Sequence, residues 1–221
     1  MTSQKTREFS VASARPLPVV VLADISGSMS VDGKIDALNT AVAEMISSFA
    51  ELGSERIDVH VAVITFGGDA AVLHAPFASA QGLAWQPMAA AGRTPMGHAF
   101  ELASGLINDR ELLPSRSYRP TLVLVSDGQP NDVWTGPLEN LIGSERGAKA
   151  DRFAIAIGGD ADFDVLRLFA GTDRGHVLQA HEARDVRKVF RWVTMTVTAR
   201  TQSINPDATD LHWPDPEDMD F

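Results

Sequence analysis

A chain of 221 residues with 44% hydrophobic residues, 10 Phe and 4 Trp among them, holds enough apolar material for one sizeable core, which excludes wholesale disorder. Its 29 Asp and Glu against 19 Lys and Arg leave a net charge of -10, the wrong sign for neutralising nucleic-acid phosphates and a suitable one for cations or basic partners. The absence of Cys removes disulfides, thiolate zinc sites and cysteine nucleophiles.

Every apolar run breaks within about ten residues, short of the roughly 20 needed to cross a bilayer, so no membrane contact is expected. Residues 1–15 read as a polar leader. Lys5, Arg7 and Arg15 occur there without the hydrophobic stretch of a secretory signal, and a cytoplasmic location is the expectation.

Leu17 to Ala23 (LPVVVLA) is a near-continuous apolar run of the kind found in a strand covered on both faces. Ile35, Leu38, Val42, Met45, Ile46 and Phe49 recur at three- and four-residue steps, predicting an amphipathic helix that begins near Asp32-Gly33. Alternation of Ile57, Val59, Val61 and Val63 predicts a strand from Arg56 to Phe66. Gly67-Gly68-Asp69 then turns the chain into an edge strand, Ala71 to Phe77, which Pro76 closes. Thr94-Pro95 opens a second helix carrying Met96, Ala99, Phe100, Ala103, Leu106 and Ile107. Thr121 to Ser126 (TLVLVS) reads as a strand, Val133 to Lys149 as a third helix, and Phe153 to Ile157 (FAIAI) as a buried strand ended by Gly158-Gly159. A short helix through Val165, Leu168 and Phe169, a strand at His176 to Gln179 and a last helix from His181 to about Thr198 complete the pattern.

This alternation predicts an α/β fold, a doubly wound and mostly parallel six-stranded sheet with one antiparallel edge strand and helices on both faces. The domain is expected over residues 16–200, and residues 201–221 are read as an acidic, disordered tail. Asp207, Asp210, Asp215, Glu217, Asp218 and Asp220 follow Pro206 with no Lys or Arg among them, so the rest of the chain carries only -4 of the -10.

In such a sheet the functional crevice lies beyond the carboxyl ends of the strands, where the winding reverses. Asp24 follows the first buried strand and Asp127 follows TLVLV, 103 residues later, on strands expected to be neighbours at that point. Two carboxylates in one crevice repel unless a cation or proton lies between them. Hydroxyls of Ser26, Ser28 and Thr94 supply neutral oxygens, and an all-oxygen set suits Mg²⁺ better than zinc. Five protein oxygens leave a coordination position that an acidic residue of a partner protein can fill.

D-x-S-x-S at Asp24, Ser26 and Ser28, Thr94 in GRTP and Asp127 in SDG occur in order over roughly residues 16 to 200. Together they resemble the metal-ion-dependent adhesion site of von Willebrand factor A domains. The resemblance implies Mg²⁺ or Mn²⁺ held partly through waters, Thr94 and Asp127 switching between direct and water-mediated contact, and protein binding in place of catalysis. The longer strings DISGSM, TPMG and YRPTLVLVSDGQPNDVW are similar to the stand-alone bacterial TerY-type domains of tellurium-resistance and stress operons. That similarity implies an adaptor role with partner kinases or PP2C-like phosphatases. Arg93 stands where the family pattern usually has a small residue; it either clamps a partner carboxylate or phosphate through paired donors, points to solvent or offsets the negative charge of the site. Met29 and Gln129 join it as candidate partner-binding residues.

Taken singly, Ser26, Ser28, Thr94-Pro95 and Asp127-Gly128 are ordinary turn and capping residues; their joint placement carries the metal reading. Gly27 to Lys34 fails as a phosphate loop because five residues separate Gly27 from Gly33 and Ile35 replaces the required Ser or Thr. The alternative from another class is a Mg²⁺-dependent phosphohydrolase with Asp24 as nucleophile. Ser26, however, occupies the place where such enzymes carry a second Asp, and no G-x-S-x-G elbow surrounds either serine. The six histidines show no H-x-x-x-H or H-E-x-x-H spacing.

Overall fold

The computed structural model describes residues 14–54, 56–171 and 175–209. The strands are β1 (Arg15–Asp24), β2 (Ile57–Gly67), β3 (Ala70–Ser79), β4 (Thr121–Ser126), β5 (Asp151–Ile157) and β6 (Gly175–Ala180). They form one six-stranded sheet in the order β3-β2-β1-β4-β5-β6, with only β3 antiparallel to its neighbour. The helices are α1 (Lys34–Glu51), α2 (Met96–Asn108), α3 (Thr135–Gly143), α4 (Phe163–Ala170) and α5 (Ala183–Gln202), joined by two 3-10 turns at Gly27–Ser30 and Ala80–Gly82.

Alternate residues of the central strands enter two separate cores, as the period of two in a strand requires. Leu17, Val19, Val21 and Ala23 of β1, with Phe153 and Ile155 of β5, pack under α1 and α5. Val20, Leu22, Leu122, Leu124, Ala154 and Ala156 pack under α2, α3 and α4. A sheet buried on both faces needs strands that are apolar at every position, which explains the unbroken runs LPVVVLA and TLVLV. Val186, Val189, Phe190, Val193 and Val197 form the buried stripe of α5, whereas Arg184, Arg187, Lys188 and Arg191 lie on its exposed side.

Three boundaries differ from the sequence expectation. Pro76 does not close the edge: β3 continues to Ser79, and Pro76 and Phe77 fall in a register shift between the pairs Val63↔Ala75 and Val61↔Ala78. An edge strand tolerates a residue with no N–H donor at such a bulge. The third helix spans only Thr135–Gly143, because the Ser144 hydroxyl donates to the Leu141 carbonyl at 2.9 Å and accepts from the Gly147 N–H at 3.1 Å, replacing the next helical turn. At the C-terminal end α5 runs to Gln202, and 203–209 folds back onto the domain. The Arg119 N–H donates to Asp207 at 2.8 Å, Arg15 reaches the same carboxylate at 3.2 Å, and Arg119 Nη2 donates to the Thr209 carbonyl at 3.0 Å. The rest of the expected tail and most of the leader lie outside the described residues.

Candidate metal centre

β1 and β4 pair in parallel through Ala23↔Val125, so Asp24 and Ser126 leave the sheet side by side at the point where the winding reverses. Ser126 Oγ donates to Asp24 Oδ2 at 2.6 Å, and the Ser26 N–H donates to Asp24 Oδ1 at 2.8 Å. Ser26 Oγ lies 3.0 Å from Ser28 Oγ, which in turn donates to Asp127 Oδ1 at 2.6 Å. Asp24, Ser26, Ser28 and Asp127 therefore form one continuous hydrogen-bonded cluster, with Asp24 and Asp127 buried at 0% and 1% exposure.

Thr94 reaches the same crevice on a loop sewn to it by main-chain bonds. The Gly27 N–H donates to the Gly92 carbonyl at 2.9 Å, Ala91 N–H to Ile25 at 2.7 Å, and Asn131 N–H to Thr94 at 3.1 Å. Gly92 has φ 71, and a Cβ there would lie 2.4 Å from Gly68 Cα, so this approach of two backbones requires glycine. Thr94 is 7% exposed and does not cap α2. That task falls to Asp132, whose two carboxylate oxygens each accept at 3.0 Å from the N–H groups of Gly97 and His98. The ordinary capping reading of Thr94-Pro95 is thereby displaced. His98 Nδ1 accepts from Ala71 N–H at 3.1 Å, a bridge between α2 and β3.

Of the candidate partner-binding residues, Arg93 and Gln129 are exposed beside the crevice. Met29 is not: it is fully buried in the core beneath α1, because the Gly27–Ser30 turn directs it inward while Ser28 faces the crevice. It serves packing, and its expected contact with a partner is corrected. Three site residues escaped the sequence reading. Lys34 donates to Asp127 Oδ2 at 2.7 Å, Ser126 holds Asp24, and Asp132 fixes α2. Lys34 opens a helix and Asp132 sits in a loop, and their spacing from the D-x-S-x-S run carries no signal of contact.

Burial pushes the Asp24 carboxyl up from 3.8 to about 6, against lowering hydrogen bonds from Ser126 and Ser26, with nearby Asp127 adding a smaller upward push. A buried acid held in this way favours a proton or a cation. The donor set fits a hard divalent ion: two carboxylates, three hydroxyls and no sulfur or imidazole. Among the described residues no group of three or more His, Cys, Asp or Glu forms, so neutral oxygens must complete any coordination.

The family model for the von Willebrand factor type A domain matches residues 19–192. No curated protein matches the chain. Among solved structures, the mussel byssus proximal thread matrix protein 1 with a zinc-occupied MIDAS motif superposes with a TM-score of 0.64 at 16% identity, covering 85% of this chain and 48% of that one. A von Willebrand factor type A protein from Catenulispora acidiphila gives 0.61 at 20% identity over 84% of this chain and 43% of that one. The pilus adhesin SpaC of Lactobacillus rhamnosus GG gives 0.65 at 16% identity over 85% and 31%. This chain thus spans less than half the length of these structures, and at such identities the likeness is one of fold. With the family model covering most of the chain, the chain belongs to the von Willebrand factor type A domain family.

Proposed function

We propose that the chain is a non-enzymatic protein-binding module that captures an acidic residue of a partner through Mg²⁺ or Mn²⁺ held by Asp24, Ser26, Ser28, Thr94 and Asp127. The observation that carries this reading is the buried cluster joining Asp24, Ser26, Ser28 and Asp127 at the carboxyl ends of β1 and β4. A bound divalent cation supplies positive charge and an open coordination position for the partner carboxylate. Asp24 is fixed through both oxygens, which favours it as a rigid ligand over a nucleophile that must swing toward phosphorus. Ser28 orients Asp127, and the sewn loop brings Thr94 to the same crevice. Exposed Arg93 and Gln129 flank it and are proposed to contact the partner beside the ion.

The strings DISGSM, TPMG and SDGQPNDVW support a narrower role as a cytoplasmic TerY-like adaptor in bacterial tellurium-resistance, stress or phosphorylation signalling, with a kinase or PP2C-like phosphatase as partner. The test is calorimetric titration of the chain with Mg²⁺ and Mn²⁺, followed by a short glutamate-bearing peptide. Binding of each cation, peptide binding abolished by EDTA, and loss of both in Asp24→Ala are expected. Metal-dependent hydrolysis of a phosphomonoester that is lost in Asp24→Asn would replace this reading with the phosphohydrolase.

A further inference from the structure

At the opposite end of the sheet, where β1 and β4 begin, lies a cavity of about 570 Å³. The ten residues of β1 separate it from the metal centre by roughly 30 Å, so the two sites share no residue. Its walls carry five cationic side chains, Arg15, Arg110, Arg119, Arg146 and Lys149, against two carboxylates, Glu145 and Asp207. An excess of three positive charges in one cavity contrasts with a chain of net charge -10.

The two halves of the cavity are neutralised differently. On one side Asp207 is met by Arg15 at 3.2 Å and by the Arg119 N–H at 2.8 Å, and Arg119 also pairs with buried Asp151 at 2.9 Å. On the other side Arg110 at 3.6 Å and Lys149 at 3.8 Å share Glu145. Arg146 there donates to the carbonyls of Leu113 and Pro114, which orient its guanidinium without cancelling its charge. Partial burial holds Arg146 below the ordinary arginine range, and Arg110 pushes it in the same direction while Glu145 opposes them. Ser117 lines the same cavity, and its hydroxyl is buried with no hydrogen-bond partner among the described residues. A buried hydroxyl without a partner is costly, and rotation about its Cα–Cβ bond would let it donate to a group bound in the cavity.

We propose that this cavity is a binding site for a phosphoryl group carried by a small molecule or a peptide side chain, held by Arg110, Arg146, Lys149 and the Ser117 hydroxyl. A carboxylate neutralises one charge and offers two oxygens. A phosphoryl group carries up to two charges and three acceptor oxygens, which matches the surplus of cations together with a hydroxyl donor. The volume falls within the range of ligand pockets, about 300–1,000 Å³, and exceeds what the phosphoryl group alone fills, leaving room for the group that bears it.

The test is NMR titration of the full chain with inorganic phosphate, a phosphoserine hexapeptide, and the same peptide with glutamate in place of phosphoserine. Amide shifts confined to residues 115–119 and 145–149 are expected for both phosphoryl probes. About tenfold weaker binding is expected in Ser117→Ala and Arg146→Gln, and no change in Asp24→Ala. Lys149→Gln, on an exposed side chain, serves if Arg146→Gln fails to fold. Tighter binding of the phosphopeptide than of phosphate assigns the group to a phosphorylated protein; equal or weaker binding assigns it to a small phosphorylated molecule. No localised shift, binding indifferent to all three cavity variants, or equal binding of the glutamate peptide overturns the proposal.

Discussion

Lys34 Nζ and Asp127 Oδ2 lie 2.7 Å apart, the carboxylate fully buried and the ammonium largely covered. An acid of the candidate metal centre thus already has a cationic neighbour built into the chain, on the first residue of α1. Any divalent ion held by Asp127 feels that charge, and the lysine lowers affinity while relieving repulsion between Asp127 and Asp24. Lys34→Met is expected to tighten Mg²⁺ binding about tenfold, roughly 1.4 kcal/mol, and to lower the melting temperature in EDTA. Calorimetry and thermal melts check both; unchanged affinity in the variant would show that the ammonium and the ion do not interact.

Asp24 gives a pH dependence of defined sign. Its carboxyl is raised in the fold from 3.8 to about 6. At this group the folded state therefore binds more protons than the unfolded chain between these values, and its contribution to stability falls as pH rises through this window. The cost at neutral pH is on the order of 3 kcal/mol in the absence of a cation. Asp24→Asn is expected to flatten the profile between pH 4 and about 6 and to raise stability in EDTA at pH 7 by a few kcal/mol. It should also abolish stabilisation by Mg²⁺. Urea unfolding of the wild type and Asp24→Asn across this range measures the difference in slope, and parallel profiles for the two would contradict the assignment.

Gly97 sits where a Cβ would meet the Val133 carbonyl at 2.3 Å, backbone against backbone. Gly97→Ala must push 131–134 away from α2, loosening the Asp132 cap and the Asn131–Thr94 bond. We expect a loss of about 1–3 kcal/mol in stability and weaker divalent-cation binding, since Thr94 is displaced with the loop. Wild-type cation affinity in a destabilised Gly97→Ala would separate Thr94 from the site.

Arg200 is 1% exposed, 3.1 Å from Asp151, and donates to Thr121 Oγ1 at 2.8 Å and the Arg119 carbonyl at 2.9 Å. Arg200→Met removes one of the two cations at Asp151, Arg119 being the other, and with it a bond to the Pro206 carbonyl that helps hold 203–209. A loss of about 3–5 kcal/mol is expected, the cost of breaking a buried pair from one side. Denaturant midpoints decide it, and a change below about 1 kcal/mol would show the network to be redundant.

The doubly wound sheet was legible because strands covered on both faces must be apolar throughout and amphipathic helices must repeat every three to four residues; both are properties of consecutive residues. Asp24, Ser26, Ser28 and Asp127 were legible for a related reason, since residues that follow strands β1 and β4 share one crevice whenever those strands are neighbours. The direction of Met29 was not legible, because a single 3-10 turn decides whether that side chain enters the core or the crevice. The pairing of Lys34 with Asp127, the Asp132 cap and the return of 203–209 onto Arg15 and Arg119 were decided only by the tertiary structure. Each joins a side chain to a group dozens of residues or more away through short-range hydrogen bonds. Local periodicity fixes which elements form, but only packing sets which polar atoms meet.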